Sequence, residues 1–161
     1  ILGGIVMKKL ILGLCLVFGM AAFSAPSFVN TRQIERKNYN IVLDEEAALV
    51  YFGILGKNRE VIVTYFYNGI SAKAVSRLLE REIMDKLGVK LQGNFENSRY
   101  YISKYYDSGE RKYIYHIVGK KSKTNDCYIS IAYLTPENLN DKQMVRDANT
   151  LLNEAESNLR R

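Results

Sequence analysis

The chain has 161 residues, 47% of them hydrophobic and 25% charged, and a formal net charge of +6. This composition is that of an ordinary globular protein and excludes a disordered or fibrous chain. The length allows one domain with one core and excludes two full-sized domains.

Residues 1–6 precede the first methionine, Met7, and carry no targeting pattern. The codons for Gly3 and Gly4 can form the purine-rich signal that bacterial ribosomes recognise just upstream of a start codon. We therefore expect residues 1–6 to come from a translation start assigned too far upstream.

The segment that follows has the pattern of a secretory signal peptide. Residues 7–9 form a positive start, residues 10–20 are apolar and rich in leucine, and residues 21–25 are mostly small. The apolar stretch has 11 residues over positions 10–20 and 14 when it is counted to Phe23, which is shorter than the roughly 20 that a membrane-spanning helix needs. We therefore expect residues 7–24 to be removed by cleavage after Ser24.

The expected export sets the compartment, the class of partner and the cysteine content of the remaining chain. It predicts a periplasmic or secreted protein with no stable membrane span, and it argues against nucleic acid as a partner. Cys15 leaves with the signal peptide, so the mature chain keeps only Cys127 and forms no internal disulfide. Cys127 alternates with Ile129 and Ile131, which predicts a small buried hydrophobe and not a reactive thiol.

Residues 25–37 are polar without periodicity and are expected to form a flexible leader to a single domain over residues 38–161. The domain begins with three segments rich in β-branched and aromatic residues. They predict strands over residues 39–43, 48–55 and 60–67. A turn-forming cluster between the second and third makes these two a hairpin.

A helix is predicted next. Ser71 suits its N-cap, and Gly88 suits a left-handed stop. Apolar residues recur between them at helical spacing, at Val75, Leu78, Leu79, Ile83 and Leu87.

Four further strands and a closing helix complete the domain. The strands are predicted over residues 91–95, 99–106, 112–119 and 127–134. Residues 135–137, Thr-Pro-Glu, predict the start of the last helix, with a possible restart at residues 139–141. The order is β-β-β-α-β-β-β-β-α, an α+β fold in which one antiparallel sheet carries both helices on one face.

No catalytic, metal-binding or phosphate-binding motif stands out. His116 is the single histidine and has no cysteine or histidine at ligand spacing, so it is expected to be structural or exposed. A His116–Cys127 dyad is the alternative. A Gly-x-Ser-x-Gly elbow and a glycine-rich phosphate loop are both absent. We predict no catalytic residue, no metal and no cofactor.

Tyrosine is the unusual feature of the composition, with 12 residues and no tryptophan. Six of them crowd one predicted hairpin, namely Tyr100, Tyr101, Tyr105, Tyr106, Tyr113 and Tyr115. Alternation places rings on both faces of this hairpin, so some rings should be exposed beside basic residues. The candidate binding residues are Tyr101, Tyr105, Tyr113, Tyr115 and Lys104. The alternative is aromatic pairing that only stabilises the sheet.

The order of elements resembles the PsbP-like superfamily of small exported α/β domains. The helix over residues 71–87, Gly93-Asn94-Phe95, the tyrosine hairpin and the stripe from Val145 to Leu159 carry the resemblance. The tryptophan often found after the first strands of such domains is missing. The superfamily consists mostly of binding and assembly modules, which the resemblance implies here.

These observations predict a non-catalytic binding or accessory domain of the cell envelope or periplasm. Its expected partner is an envelope protein, a peptide or a glycan. One alternative is a small periplasmic hydrolase that uses Asp or Glu residues. Another is an assembly subunit of a surface structure, joined through an exposed strand edge.

Overall fold

The computed structural model describes residues 4–18, 28–45, 47–67, 71–121 and 127–160. Seven strands in these residues form one antiparallel sheet: β1 (Asn40–Asp44), β2 (Ala48–Gly56), β3 (Arg59–Phe66), β4 (Lys90–Glu96), β5 (Tyr100–Asp107), β6 (Lys112–Gly119) and β7 (Tyr128–Thr135). Their order is β1-β2-β3-β7-β6-β5-β4, so the last strand joins the two groups of strands. The predicted α+β class with an antiparallel sheet is confirmed.

The helices of the described residues are α1 (Ile5–Phe18), α2 (Thr31–Arg36), α3 (Ala72–Leu79), α4 (Asp85–Leu87) and α5 (Asp141–Glu156). A π-helical segment, Glu80–Met84, joins α3 to α4. Together α3, this segment and α4 form the helix predicted between Ser71 and Gly88, and both of its predicted ends are confirmed. The Ser71 hydroxyl accepts a hydrogen bond from the Ala74 amide at 3.2 Å, and Gly88 ends the helix at φ +70°, where a side chain would be strained.

Helices cover both faces of the sheet. On one side, which we call the α3 face, Val75 and Leu79 pack in one cluster with Ile62 and residues of α1. On the other, the α5 face, Ala148 and Leu152 of α5 pack with Ile34 of α2 and the opposite side chains of the strands. The expectation that both helices share one face is therefore wrong. The central strands are apolar on both sides, so each face needs its own cover.

The leader prediction is corrected from Phe28 onward. The Asn30 side chain accepts a hydrogen bond from the Gln33 amide at 3.1 Å and caps α2, and Ile34 is fully buried. Val29 forms a β-bridge with Leu159. One apolar residue and a good cap are enough to anchor this short helix on the domain, so residues 28–37 belong to the fold. Residues 25–27 lie outside the described residues.

A buried polar cluster fixes the C-terminus against the sheet. The Asn158 amide nitrogen donates to the hydroxyls of Tyr51 at 3.1 Å and Tyr65 at 3.3 Å. Lys37 donates to the Asn158 carbonyl oxygen at 2.9 Å, and the Tyr65 hydroxyl donates to the Ala155 backbone carbonyl at 2.6 Å. Because each buried polar group has a partner, the cluster stabilises the fold and ties residues far apart in the chain.

The last helix begins later than predicted. Thr135 is buried and ends β7, opposite Tyr113 of β6. The helix starts at Asp141 behind a capping box, in which Asn140 and Gln143 exchange side-chain to backbone hydrogen bonds of 2.9 and 3.0 Å. The start predicted at residues 135–137 is wrong, and the predicted restart is the actual beginning.

Candidate functional site

The sheet divides the five predicted binding residues between its two faces. Tyr101 and Tyr105 belong to the apolar cluster of the α3 face. Tyr113 and Tyr115 belong to that of the α5 face, with Lys104 above their rings. The alternation predicted along the hairpin therefore holds, but the five side chains do not form one site.

The two tyrosines on the α3 face already pack against other residues of the chain. Tyr105 is 1% exposed, and its burial, followed by the nearby Glu80 carboxylate, raises the pKa of its hydroxyl. Tyr101 is half-buried, and the Lys120 ammonium lies 4.4 Å from its ring centroid while also pairing with Glu96. Neither ring offers an open aromatic surface, so the prediction of an exposed binding residue is corrected for Tyr105.

Tyr115 is also buried, at 1% exposure, and it positions a neighbouring loop. Its hydroxyl accepts a hydrogen bond from the Leu139 amide at 2.8 Å and donates to the Glu137 carbonyl at 3.4 Å. Burial is the main cause of its raised pKa. Tyr115 is thus a positioning residue for the segment that leads into α5, and not a surface contact.

Lys104 connects the tyrosines of the α5 face to a cleft. Its ammonium lies 5.0 Å from the ring centroid of Tyr113 and 5.6 Å from that of Tyr115, a geometry of cation–π attraction. It also donates a hydrogen bond to the Asn138 side chain. Tyr113 is half-buried, and its ring lies tilted against that of Tyr106, with the two centroids 4.8 Å apart. The lysine is therefore held in a defined position although its stem is long.

A cavity of about 250 Å³ lies beside Lys104, between the edge strand β4, β5 and the start of α5. We call it the Lys104 cleft, and its lining consists of Gln92, Gly93, Asn94, Phe95, Ile102, Lys104, Leu139, Asp141 and Met144. A β-bulge between Leu91 and Gly93 shifts the register of the edge strand here. The lining combines the Lys104 cation, the Asp141 carboxylate and the Gln92 amide with an apolar floor, whereas the Asn94 side chain bonds Ser103 on the α3 face. This set binds polar ligands by hydrogen bonds, and it contains no nucleophile with an adjacent base.

Sequence reasoning missed a row of polar side chains that crosses the α3 face. Its members sit at neighbouring register positions of five strands and are Thr64, Ser130, His116, Ser103 and Asn94. All but Asn94 are buried. His116 Nε2 lies 2.9 Å from the Ser130 hydroxyl, and the Ser103 hydroxyl donates to Asn94 at 2.9 Å. The sequence does hold a signal for this row, because each buried member is a small polar or imidazole side chain at an inward position between apolar residues of its strand.

His116 and Cys127 do not form a dyad, because they lie on opposite faces of the sheet. His116 lines a small cavity of the α3 face, whereas Cys127 belongs to the apolar cluster of the α5 face. Burial lowers the pKa of His116 to about 4 and raises that of Cys127 to about 12. The prediction that Cys127 behaves as a small buried hydrophobe is confirmed.

No group of three or more His, Cys, Asp or Glu side chains among the described residues is arranged to hold a metal ion. None of the helices described is both long and apolar enough to cross a membrane.

Comparison with protein-family models, with curated proteins and with solved structures found no match for this chain. The resemblance to the PsbP-like superfamily therefore stays a prediction.

Proposed function

We propose that the protein is an exported, non-catalytic binding or accessory domain of the bacterial cell envelope, and that the Lys104 cleft is its binding site. The observation that carries the proposal is the fixed ammonium of Lys104, which lies over two tyrosine rings at the mouth of a cleft lined by Gln92 and Asp141. Charged and amide groups above an apolar floor are typical of sites for peptides and glycans.

The surface of α1 supports export. Ile5 and Leu12 are 64% and 60% exposed, while Val6, Met7 and Leu10 are buried. A helix that stays on a protein surface is normally polar on its outer face. In α1 the exposed apolar residues lie beside exposed Lys8 and Lys9, and a basic pair that leads into an apolar run fits a signal peptide better.

We favour a peptide segment of an envelope protein as the ligand. The cleft lies against β4, an edge strand with no neighbour on its outer side in the described sheet. Lys104 and Asp141 offer charge contacts to the side chains or ends of a peptide that lies along this strand. A glycan that contacts the same polar groups of the cleft is the competing outcome of the test.

The alternatives have less support in the described part of the chain. A carboxylate hydrolase needs paired acids, and Asp141 is the only carboxylate in the lining of the cleft. Polymerisation by strand addition favours a flat apolar edge, whereas β4 is bulged and carries exposed Lys90 and Glu96.

A pair of lysine variants tests the proposal. Lys104→Met removes the cation at the cleft, and Lys120→Met removes the comparable cation over Tyr101 on the opposite face. Pull-down from envelope extract and NMR titration with soluble cell-wall glycopeptide would be measured for both. We expect Lys104→Met alone to lose binding. Equal binding by the two variants would refute the cleft as the site, and a response to sugar without peptide would reassign the ligand to a glycan.

A further inference from the structure

Gly93 leaves space in the Lys104 cleft. It lines the cavity and lies opposite Lys104 in the register of β4 and β5. Side chains alternate along a strand, so position 93 shares a face with Phe95, which packs against the cluster of the α5 face. A Cβ built on Gly93 has no heavy atom within 4 Å beyond its chain neighbours. A side chain at this position would therefore extend into the cleft.

Neither the backbone nor the packing requires glycine at position 93. Its φ lies outside the left-handed region, unlike the +70° of Gly88, so the adjacent bulge is not of the kind that needs a glycine. No neighbour excludes a side chain there, whereas at Gly53 a Cβ would overlap the ring of Tyr39. Glycine weakens a strand interior and often marks the place where a ligand approaches closely. What this glycine provides is room for a ligand.

The ammonium of Lys104 has donors left for an anion. It donates one hydrogen bond to the Asn138 side chain and lies over the rings of Tyr113 and Tyr115. An ammonium has three donors. Asp141 lines the same cavity, but no carboxylate of the described residues forms an ion pair with Lys104. The cleft therefore holds a positioned cation whose charge is not neutralised.

The floor of the cleft is apolar. Ile102, Leu139 and Met144 are buried there, and Phe95 is half-buried beside them. The cavity of about 250 Å³ is smaller than the pockets that take drug-sized molecules, so it holds about one residue of a peptide. The ligand must therefore bring an anionic group and an apolar group together within one residue.

A peptide has this combination at its C-terminal residue, where the free carboxylate and the side chain are attached to the same carbon. An internal Asp or Glu carries its carboxylate in the place of an apolar side chain, so it leaves the apolar floor uncovered. Capture of a terminal carboxylate is a recurring mode of peptide recognition. Asp141 then orients the peptide, because its carboxylate repels the terminal carboxylate and attracts a basic penultimate residue.

We propose that the Lys104 cleft binds the free C-terminus of an envelope protein partner, with the terminal carboxylate at Lys104 and an apolar last side chain in the space over Gly93. The inference rests on the proposed function and adds to it the class of ligand. Gly93 thus acts as a specificity-determining residue, since the absence of its side chain sets the size of the last residue that fits.

Fluorescence anisotropy of the full chain with labelled hexapeptides tests the inference. The parent peptide is Gly-Ser-Gly-Ser-Lys-Leu with a free carboxylate and fluorescein at its N-terminus. Three relatives each change one feature and have a C-terminal amide, a last residue of alanine or a penultimate residue of glutamate. Free leucine is added as a competitor, which separates a peptide terminus from a free amino acid.

We expect the amide to bind more than about tenfold more weakly than the free acid, because it loses the charge-assisted contact with Lys104. Lys104→Met should abolish this difference. Lys120→Met, which removes the cation over Tyr101 on the opposite face, should retain it. The glutamate peptide should bind more weakly than the parent, because Asp141 repels a second acidic group.

Gly93 is tested by a change of size in both partners. Gly93→Val should reduce the preference for leucine over alanine at the end of the peptide by about tenfold, because the added methyl groups occupy the space of the leucine side chain. Gly93→Ala, whose added carbon has no neighbour within 4 Å, folds without strain and should give an intermediate preference. General damage to the fold would weaken both peptides alike.

Five results would overturn the inference. They are no binding of the free-acid peptide, equal binding of acid and amide, equal binding of the lysine and glutamate peptides, competition by free leucine as strong as by unlabelled parent peptide, and an unchanged preference in both Gly93 variants. The proposed function fails separately, if Lys104→Met and Lys120→Met retain the envelope partner equally. Loss of that partner in Lys104→Met together with equal binding of acid and amide would refute the C-terminal ligand and leave the cleft as the binding site.

Discussion

Acidification should destabilise this protein through His116. The imidazole is 2% exposed, and burial lowers its pKa from 6.5 to about 4. The folded state therefore binds this proton more weakly than the unfolded state does. The stability that depends on neutral His116 is complete above about pH 6.5 and is lost as the pH falls through about 4.

The size of the effect follows from the two pKa values. Each tenfold change in proton affinity is worth about 1.36 kcal/mol, so the loss between neutral pH and pH 4 is about 3 kcal/mol. This is a large share of the 5–15 kcal/mol that typically stabilises a domain. A shift of this size is therefore readily measured by denaturant titration.

The matched variant is His116→Gln, which keeps a polar group near the Ser130 hydroxyl but does not titrate. Urea unfolding of the full chain would be followed between about pH 7 and pH 4 for both proteins. The other titrating groups are common to the two and cancel in the difference. We expect the free energy of unfolding of the natural protein to fall by about 3 kcal/mol more than that of the variant. Parallel pH profiles would show that His116 is not held neutral by burial.

Three further predictions concern stability and reactivity. Asn158→Ala should lower the free energy of unfolding by about 1–3 kcal/mol in denaturant titration, because it leaves the buried Tyr51 and Tyr65 hydroxyls short of a partner. Gly88→Ala should cost about 1 kcal/mol in thermal unfolding because φ is +70° there, whereas Gly93→Ala, equally free of neighbours and at an ordinary φ, should cost little. Cys127 should resist maleimide at about pH 8 until the protein is denatured, as peptide mapping would show, because burial raises its pKa to about 12.

The strands were predictable because their signals are local. Alternating apolar residues and turn clusters place every strand within a residue or two of its observed bounds, and β6 agrees at both ends. In the first hairpin, Asn58 adopts the left-handed backbone at φ +61° that its turn cluster favours.

The corrections come from contacts between residues far apart in the chain. Helical propensity favours a start at Thr135, but pairing of this residue with Tyr113 keeps it in the sheet. The Tyr115 hydroxyl then holds the segment before Asn140 in an extended path. Local sequence carries neither contact, so propensity alone placed the helix too early.

Only the tyrosine hairpin of the candidate site could be predicted from the sequence, for the same reason. Alternation correctly places tyrosine rings on both faces of the hairpin, but it does not reveal which helix covers which face. That depends on β7 pairing with β3, a contact between residues about 70 positions apart in the chain. The sequence therefore identified the tyrosine hairpin but not the cleft that α5 builds beside Lys104.

The N-terminal segment shows why hydrophobicity alone does not separate export from core formation. Burial of Val6, Met7 and Leu10 explains one face of α1, yet Ile5 and Leu12 remain mostly exposed. Each exposed side chain of this size forgoes about 1.5–3 kcal/mol of burial, which a permanent surface helix would avoid with polar residues. Passage through a membrane would explain apolar residues at the exposed positions of α1 beside Lys8 and Lys9. On the export that we propose, the burial of one face of α1 lasts only until the signal peptide is cleaved.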